Sequence, residues 1–121
     1  MARILVIDDD DQLRRMLCMA LTRAGYVVVE ARDGNEGVQR FREEPADLII
    51  TDLLMPDKEG LETIMDIRRE FPDAKIIAMS GGGQAGNLNF LQVAERLGAQ
   101  RTMAKPFNLQ AMLAAIQELL Q

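Results

Sequence analysis

The residues with chemical potential stand where apolar runs stop. Ile4 to Ile7 lead straight into four aspartates, Asp8 to Asp11; "LIIT" ends at Asp52, "KIIAM" ends at Ser80, and Lys105 follows "RTMA". Carboxylates of this kind hold hard cations or act as nucleophiles, and a hydroxyl and an ammonium contact anionic oxygens. The chain has no histidine. That removes Ser-His-Asp and Cys-His catalysis, imidazole metal ligands and a phosphohistidine on this chain, leaving carboxylates, hydroxyls and lysine. Cys18 is the single cysteine, so it has no internal disulfide partner and cannot alone form a thiolate metal site. It reads as an inert helix residue in a reducing compartment.

Those side chains need elements to position them. Short apolar runs predict strands over Arg3 to Asp8, Tyr26 to Ala31, Leu48 to Asp52, Lys75 to Ser80 and Gln100 to Ala104. Between the first two, Leu13, Leu17, Ala20, Leu21 and Ala24 recur on one helical face, with Gly25 as the stop. At the other end Asn108 caps a helix whose inward stripe is predicted as Leu109, Met112, Leu113, Ile116, Leu119 and Leu120. Further helices are predicted over Gly34 to Glu43, Glu59 to Phe71 and Asn89 to Leu97. Five strands alternating with five helices imply an α/β fold, a five-stranded parallel sheet covered on both faces. The runs "ILVI" and "LIIT" lack polar alternation, as strands buried on both sides should.

In an open parallel sheet, ligands bind outside the C-terminal strand ends. Asp8, Asp9, Asp52, Ser80 and Lys105 all fall there, so they are read as one site. Two carboxylates about 4 Å apart repel by roughly 4 kcal/mol at an effective dielectric near 20. Three such pairs approach a domain's whole net stability of about 5 to 15 kcal/mol. Compensation must come from cations: Lys105 supplies one charge, and a hard divalent ion, Mg²⁺ with retained waters, supplies the rest. Asp10 and Asp11 stand where a helix begins and are read as capping and dipole-complementing residues.

Composition bounds the alternatives. With 121 residues, 48% hydrophobic and 27% charged, one globular domain over residues 1 to 121 is expected, with no attached output domain. No apolar run reaches the roughly 20 residues of a spanning helix, and no signal segment opens the chain, so a cytoplasmic location is expected. A net charge of -5 points away from direct nucleic-acid contact. The eight methionines read as core filler. Cys18 and Met19 fall off the inward stripe, where exposed apolar side chains would suit a partner's helical bundle.

In order, Asp8-Asp9 after a hydrophobic strand, Asp52, Met55-Pro56, Gly60, Ser80 and Lys105-Pro106-Phe107 resemble the receiver domains of two-component response regulators. Gly25-Tyr26 and Gly98-Ala99 fit as well, so the resemblance spans essentially the whole chain. It implies a flavodoxin-like strand order 2-1-3-4-5. It also implies that Asp52 accepts a phosphoryl group from a phosphohistidine on a histidine kinase or phosphotransfer protein. Mg²⁺ would be held by Asp9, Asp52 and the Leu54 carbonyl, with Asp8 acting through a metal-bound water. Lys105 and Ser80 would contact phosphoryl oxygens, the domain would catalyse its own phosphorylation and dephosphorylation, and a downstream protein would read the change. A cis peptide before Pro106 is implied too.

Two positions depart from the pattern. Receivers usually carry an aromatic three residues before the lysine, where this chain has Thr102, and the loop from Ser80 to Asn87 is glycine-rich and long. Asp8-x-Asp10 also resembles the nucleophile pattern of haloacid-dehalogenase phosphatases, in which Asp8 would be phosphorylated. A late acidic metal pair is missing, since only Glu95 and Glu118 follow Asp73. A flavodoxin would need a hydroxyl- and glycine-rich loop after the first strand. A receiver-like module that works by protein contact alone, without phosphorylation, is the remaining alternative.

Overall fold

The computed structural model describes residues 2–53, 60–80, 92, 94–105 and 107–121. In chain order the elements are β1 (Arg3–Ile7), α1 (Asp11–Arg23), β2 (Val27–Ala31), α2 (Gly34–Glu43), β3 (Leu48–Asp52), α3 (Gly60–Glu70), β4 (Ile76–Ser80), a helical stretch α4 (94–97), β5 (Arg101–Ala104) and α5 (Leu109–Leu120). All neighbouring strands pair in parallel, in the order β2-β1-β3-β4-β5. This is the flavodoxin-like order that the receiver resemblance implies.

Alternation along the strands explains the unbroken apolar runs. Leu5, Ile7 and Ile49 pack on one face with Val38, Phe41, Ile64 and Ile67 from α2 and α3. Ile4, Val6 and Ile50 pack on the other with Leu17, Leu21, Met112 and Ile116 from α1 and α5. A strand with helices on both sides has no polar face to show.

Strand β3 and helix α2 have the predicted limits, whereas β1, β2, β4 and β5 are each one residue shorter. The trimmed residues sit at ladder ends; Asp8 N–H still donates to the Ala31 carbonyl at 3.1 Å, and Gln100 N–H to that of Ile76 at 2.9 Å. Asp10 caps α1 by accepting from Leu13 N–H at 3.1 Å, and Asn108 caps α5 by accepting from Ala111 N–H at 3.1 Å. Gly25 follows α1 with φ +100°, a backbone conformation that favours glycine.

Three expectations need correction. The buried face of α1 is Arg14, Leu17, Cys18 and Leu21, so Cys18 points inward while Met16 and Met19 are exposed. In α5, Ala115 is buried and Leu109 is exposed, because the inward arc centres on Met112 and Ile116. Met79 and Met112 do fill core, but Met16, Met19 and Met65 lie at the surface. Leu54, Met55, Pro56, Glu59, Pro106 and the loop from Gly81 to Asn87, with the expected helix start at Asn89, lie outside the described residues. No helix among the described residues is long and apolar enough to cross a membrane.

Candidate functional site

The C-terminal ends of β1, β3, β4 and β5 converge as the sequence predicts. Asp8 is fully buried at the tip of β1, and its carboxylate is held twice: Oδ1 accepts from Asp10 N–H at 2.9 Å and Oδ2 from the Lys105 ammonium at 2.8 Å. Asp52, 5% exposed at the end of β3, has Oδ1 3.3 Å from the same ammonium. Asp9 stands at the solvent edge. One carboxylate oxygen from each of Asp8, Asp9 and Asp52 lies within 4.8 Å of the others.

Sheet register puts the remaining pieces beside them. Ser80 pairs with Ala104 across β4 and β5, and Lys105 N–H donates to the Ser80 carbonyl at 2.7 Å. That bond fixes where the lysine leaves the sheet. The Ser80 hydroxyl is buried, and its Oγ has no hydrogen-bond partner among the described residues. An orphaned buried hydroxyl is uncommon and marks a group kept for another partner. Gly60, at the start of α3, has to be a glycine because an added Cβ would lie 2.0 Å from the Asp52 carbonyl oxygen. The close approach lets Gly60 N–H donate to the Leu53 carbonyl at 3.0 Å, seating α3 against the tip of β3.

The electrostatics follow from crowding three anions at a dry end. Burial first, and the Asp8 charge second, push the Asp52 carboxyl up to about 6 against the pull of Lys105. Burial and the neighbouring Asp8 also raise Asp9. Burial alone would lower Lys105, but its hydrogen bond to Asp8 and the charge of Asp52 hold the ammonium above its ordinary value. Among the described residues one ammonium against three carboxylates leaves the pocket anionic, and converging hard oxygens fit a hard divalent cation. A groove of about 710 Å³ lined by Phe41, Phe71 and Lys75 opens at the opposite ends of the strands, away from this chemistry.

Asp8, Asp9, Asp52, Ser80 and Lys105 are thus brought together, while Leu54 lies outside the described residues. Asp10 and Asp11 take the helix-start roles expected of them. Cys18 is buried, and burial pushes its thiol up to about 12, which removes it as a reactive group. Thr102 is half-buried and donates from Oγ1 to Glu95 Oε1 at 3.2 Å. Arg14 is the residue that sequence reasoning missed: its guanidinium is buried against Asp8, Asp11 and Glu30. The available signal was its place three residues before Leu17 and four before Cys18.

Fold and site together define a doubly wound α/β protein with an acidic, lysine-bridged pocket at its strand ends. The family model described as "Response regulator receiver domain" matches residues 4–117. The response regulator receiver protein CpdR of Brucella abortus is 35% identical over 120 residues, covering 99% of this chain and 98% of that protein. A response regulator receiver domain from Clostridium thermocellum superposes with TM-score 0.91 at 30% identity, covering 99% of this chain and 94% of that one. The response regulator TrrA of Thermotoga maritima, solved in complex with Mg²⁺-BeF, superposes with TM-score 0.87 at 32% identity, covering 99% and 100%. The chain belongs to the receiver-domain family of response regulators, the signal-receiving modules of two-component systems.

Proposed function

We propose that the domain takes a phosphoryl group onto Asp52 from a phosphohistidine of a kinase or phosphotransfer protein, in a Mg²⁺-dependent reaction, and signals by altered protein contacts. The observation that carries this reading is the Asp52 carboxylate, nearly buried, facing one ammonium and two further carboxylates at a strand end. A carboxyl near 6 is about nine-tenths ionised at pH 7, so the nucleophile is in its reactive form.

In the transfer, an Asp52 oxygen forms a bond to phosphorus as the phosphorus–nitrogen bond to the partner's imidazole breaks, and the leaving imidazole keeps the electron pair. Lys105 neutralises charge on a transferred oxygen, and the orphaned Ser80 hydroxyl donates to another. Asp8, Asp9 and Asp52, with the Leu54 carbonyl, would hold Mg²⁺, which supplies charge neutralisation for the incoming phosphoryl oxygens. Asp8 is the poorer nucleophile because both of its oxygens already accept hydrogen bonds. This favours Asp52 over the dehalogenase-like alternative. A groove of about 460 Å³ beside Met16, Met19 and Leu109, rimmed by Arg15 and Arg23, lies along α1 and the start of α5 and suits the partner's helices.

Intact-mass measurement after incubation with a small acyl-phosphate donor and Mg²⁺ tests the reading. Wild type should gain one phosphoryl group and Asp52→Asn none. An adduct that persists in Asp52→Asn and disappears in Asp8→Asn would transfer the role to Asp8 and contradict the proposal.

A further inference from the structure

We infer that Arg14 is a positioning residue for the acidic pocket, fixing the Asp8 main chain so that the Asp8 and Asp9 carboxylates face Asp52 and Lys105. The inference rests on the reading that this pocket binds a divalent cation.

Arg14 is only 5% exposed, on the α1 face it shares with Leu17, Cys18 and Leu21. Each nitrogen of its guanidinium is used, and each on a different segment. Nη1 donates to the Asp8 carbonyl at 2.7 Å, Nη2 to Asp11 Oδ1 at 2.6 Å, and Nε to Glu30 Oε1 at 2.9 Å. One planar fork therefore ties the end of β1 to the first turn of α1 and to β2. An apolar side chain would fill this core position at lower desolvation cost, because burying an ion pair is weak evidence of a stability gain. The return on the arginine is geometry.

The bond to the Asp8 carbonyl matters because that oxygen and the Asp9 N–H belong to one rigid peptide plane. Asp8 is also held by its N–H on the Ala31 carbonyl, at 3.1 Å, by Oδ1 on Asp10 N–H, at 2.9 Å, and by Oδ2 on the Lys105 ammonium, at 2.8 Å, but none of these bonds reaches its carbonyl. Without Arg14 the buried carbonyl loses its donor, and the plane is free to turn. Turning it swings Asp9 and re-aims Asp8 away from Lys105. Lysine would restore the charge but not the fork, since an ammonium is a single point donor group that cannot span the three acceptors in their fixed directions.

Calorimetric Mg²⁺ titration without phosphodonor, on wild type, Arg14→Met, Arg14→Lys and Glu30→Ala, tests this. Arg14→Met should bind Mg²⁺ about tenfold more weakly, the lower end of the range for outer-shell partners. Arg14→Lys should be similarly weakened, and Glu30→Ala, which loosens only one arm of the fork, should be weakened less than Arg14→Met. In chelator, the Asp10 amide should exchange faster with solvent deuterium in Arg14→Met and Arg14→Lys, while that of Ile50 in β3 stays at the wild-type rate. A folded Arg14→Met with wild-type Mg²⁺ affinity and wild-type Asp10 exchange overturns the inference. If Arg14→Met does not fold, wild-type behaviour of Arg14→Lys overturns it just as well, since charge alone would then suffice. Wild type that binds no Mg²⁺ would overturn the metal reading itself, a result distinct from Mg²⁺ binding that ignores Arg14.

Discussion

Replacing Asp52 by asparagine should make the metal-free protein more stable, by an amount that depends on pH. The Asp52 carboxyl lies at about 6 in the fold against an ordinary value of 3.8, because burial and Asp8 disfavour its charge. At 1.36 kcal/mol per pKa unit, the ionised group costs the folded state about 3 kcal/mol. The sign follows from proton binding: the folded state holds this proton more tightly than the unfolded chain, so acid favours folding through this group. The favourable term is fully present below pH 3.8, is lost as pH rises toward about 6, and stays lost above it. The neutral amide of the Asp52→Asn variant mimics the protonated carboxyl at every pH. Urea unfolding in chelator should therefore show little difference between wild type and Asp52→Asn at pH 4. At pH 7.5 the variant should be more stable by about 3 kcal/mol, roughly 10 °C in Tm, with unchanged m-value. A difference that does not vary between pH 4 and 7.5, or a variant less stable than wild type at pH 7.5, would refute the claim that crowded anions strain this pocket.

The other side chains should respond in distinct ways. Lys105→Met leaves Asp8 and Asp52 without their shared counter-charge and should lose about 3 kcal/mol at pH 7.5, less at pH 5 where Asp52 takes up a proton; equal losses at both pH values would contradict this. Ser80→Ala removes a buried hydroxyl that has no partner among the described residues, so denaturant melts in chelator should show a gain of about 1 kcal/mol, and a loss of that size would mean the hydroxyl is already satisfied. Gly60→Ala places a Cβ against the Asp52 carbonyl and should cost about 2 kcal/mol by the same melts while lowering the phosphorylation rate; unchanged values of both would show that α3 is not seated on β3 as described.

Much of this arrangement is legible in the chain. Apolar runs without polar alternation mark strands buried on both faces, and the first charge after each run marks its tip, as Asp8 and Asp52 do. Strand alternation with helices dictates a parallel sheet but leaves strand order open, and the order 2-1-3-4-5 came from the receiver resemblance. The limit shows on α1. Local spacing predicts an inward stripe through Leu13 and Ala24, yet the sheet meets the helix at Arg14, Leu17, Cys18 and Leu21, and Ala24 is exposed. A cation on that face looks like a solvent residue until the Asp8 carbonyl, Asp11 and Glu30 are seen around it. Leu109 misleads in the opposite direction, since hydropathy puts it on the inward stripe while the buried arc of α5 is Met112, Ala115 and Ile116.

The central claim is that the acyl phosphate forms at position 52. Borohydride reduces an acyl phosphate to an alcohol, turning the modified aspartate into homoserine, which tandem mass spectrometry of the digested protein can locate. After incubation with the small acyl-phosphate donor and Mg²⁺, homoserine is predicted at position 52 and nowhere else in the chain. Homoserine at position 8, or none at 52 in protein whose intact mass shows a phosphoryl adduct, would contradict the account.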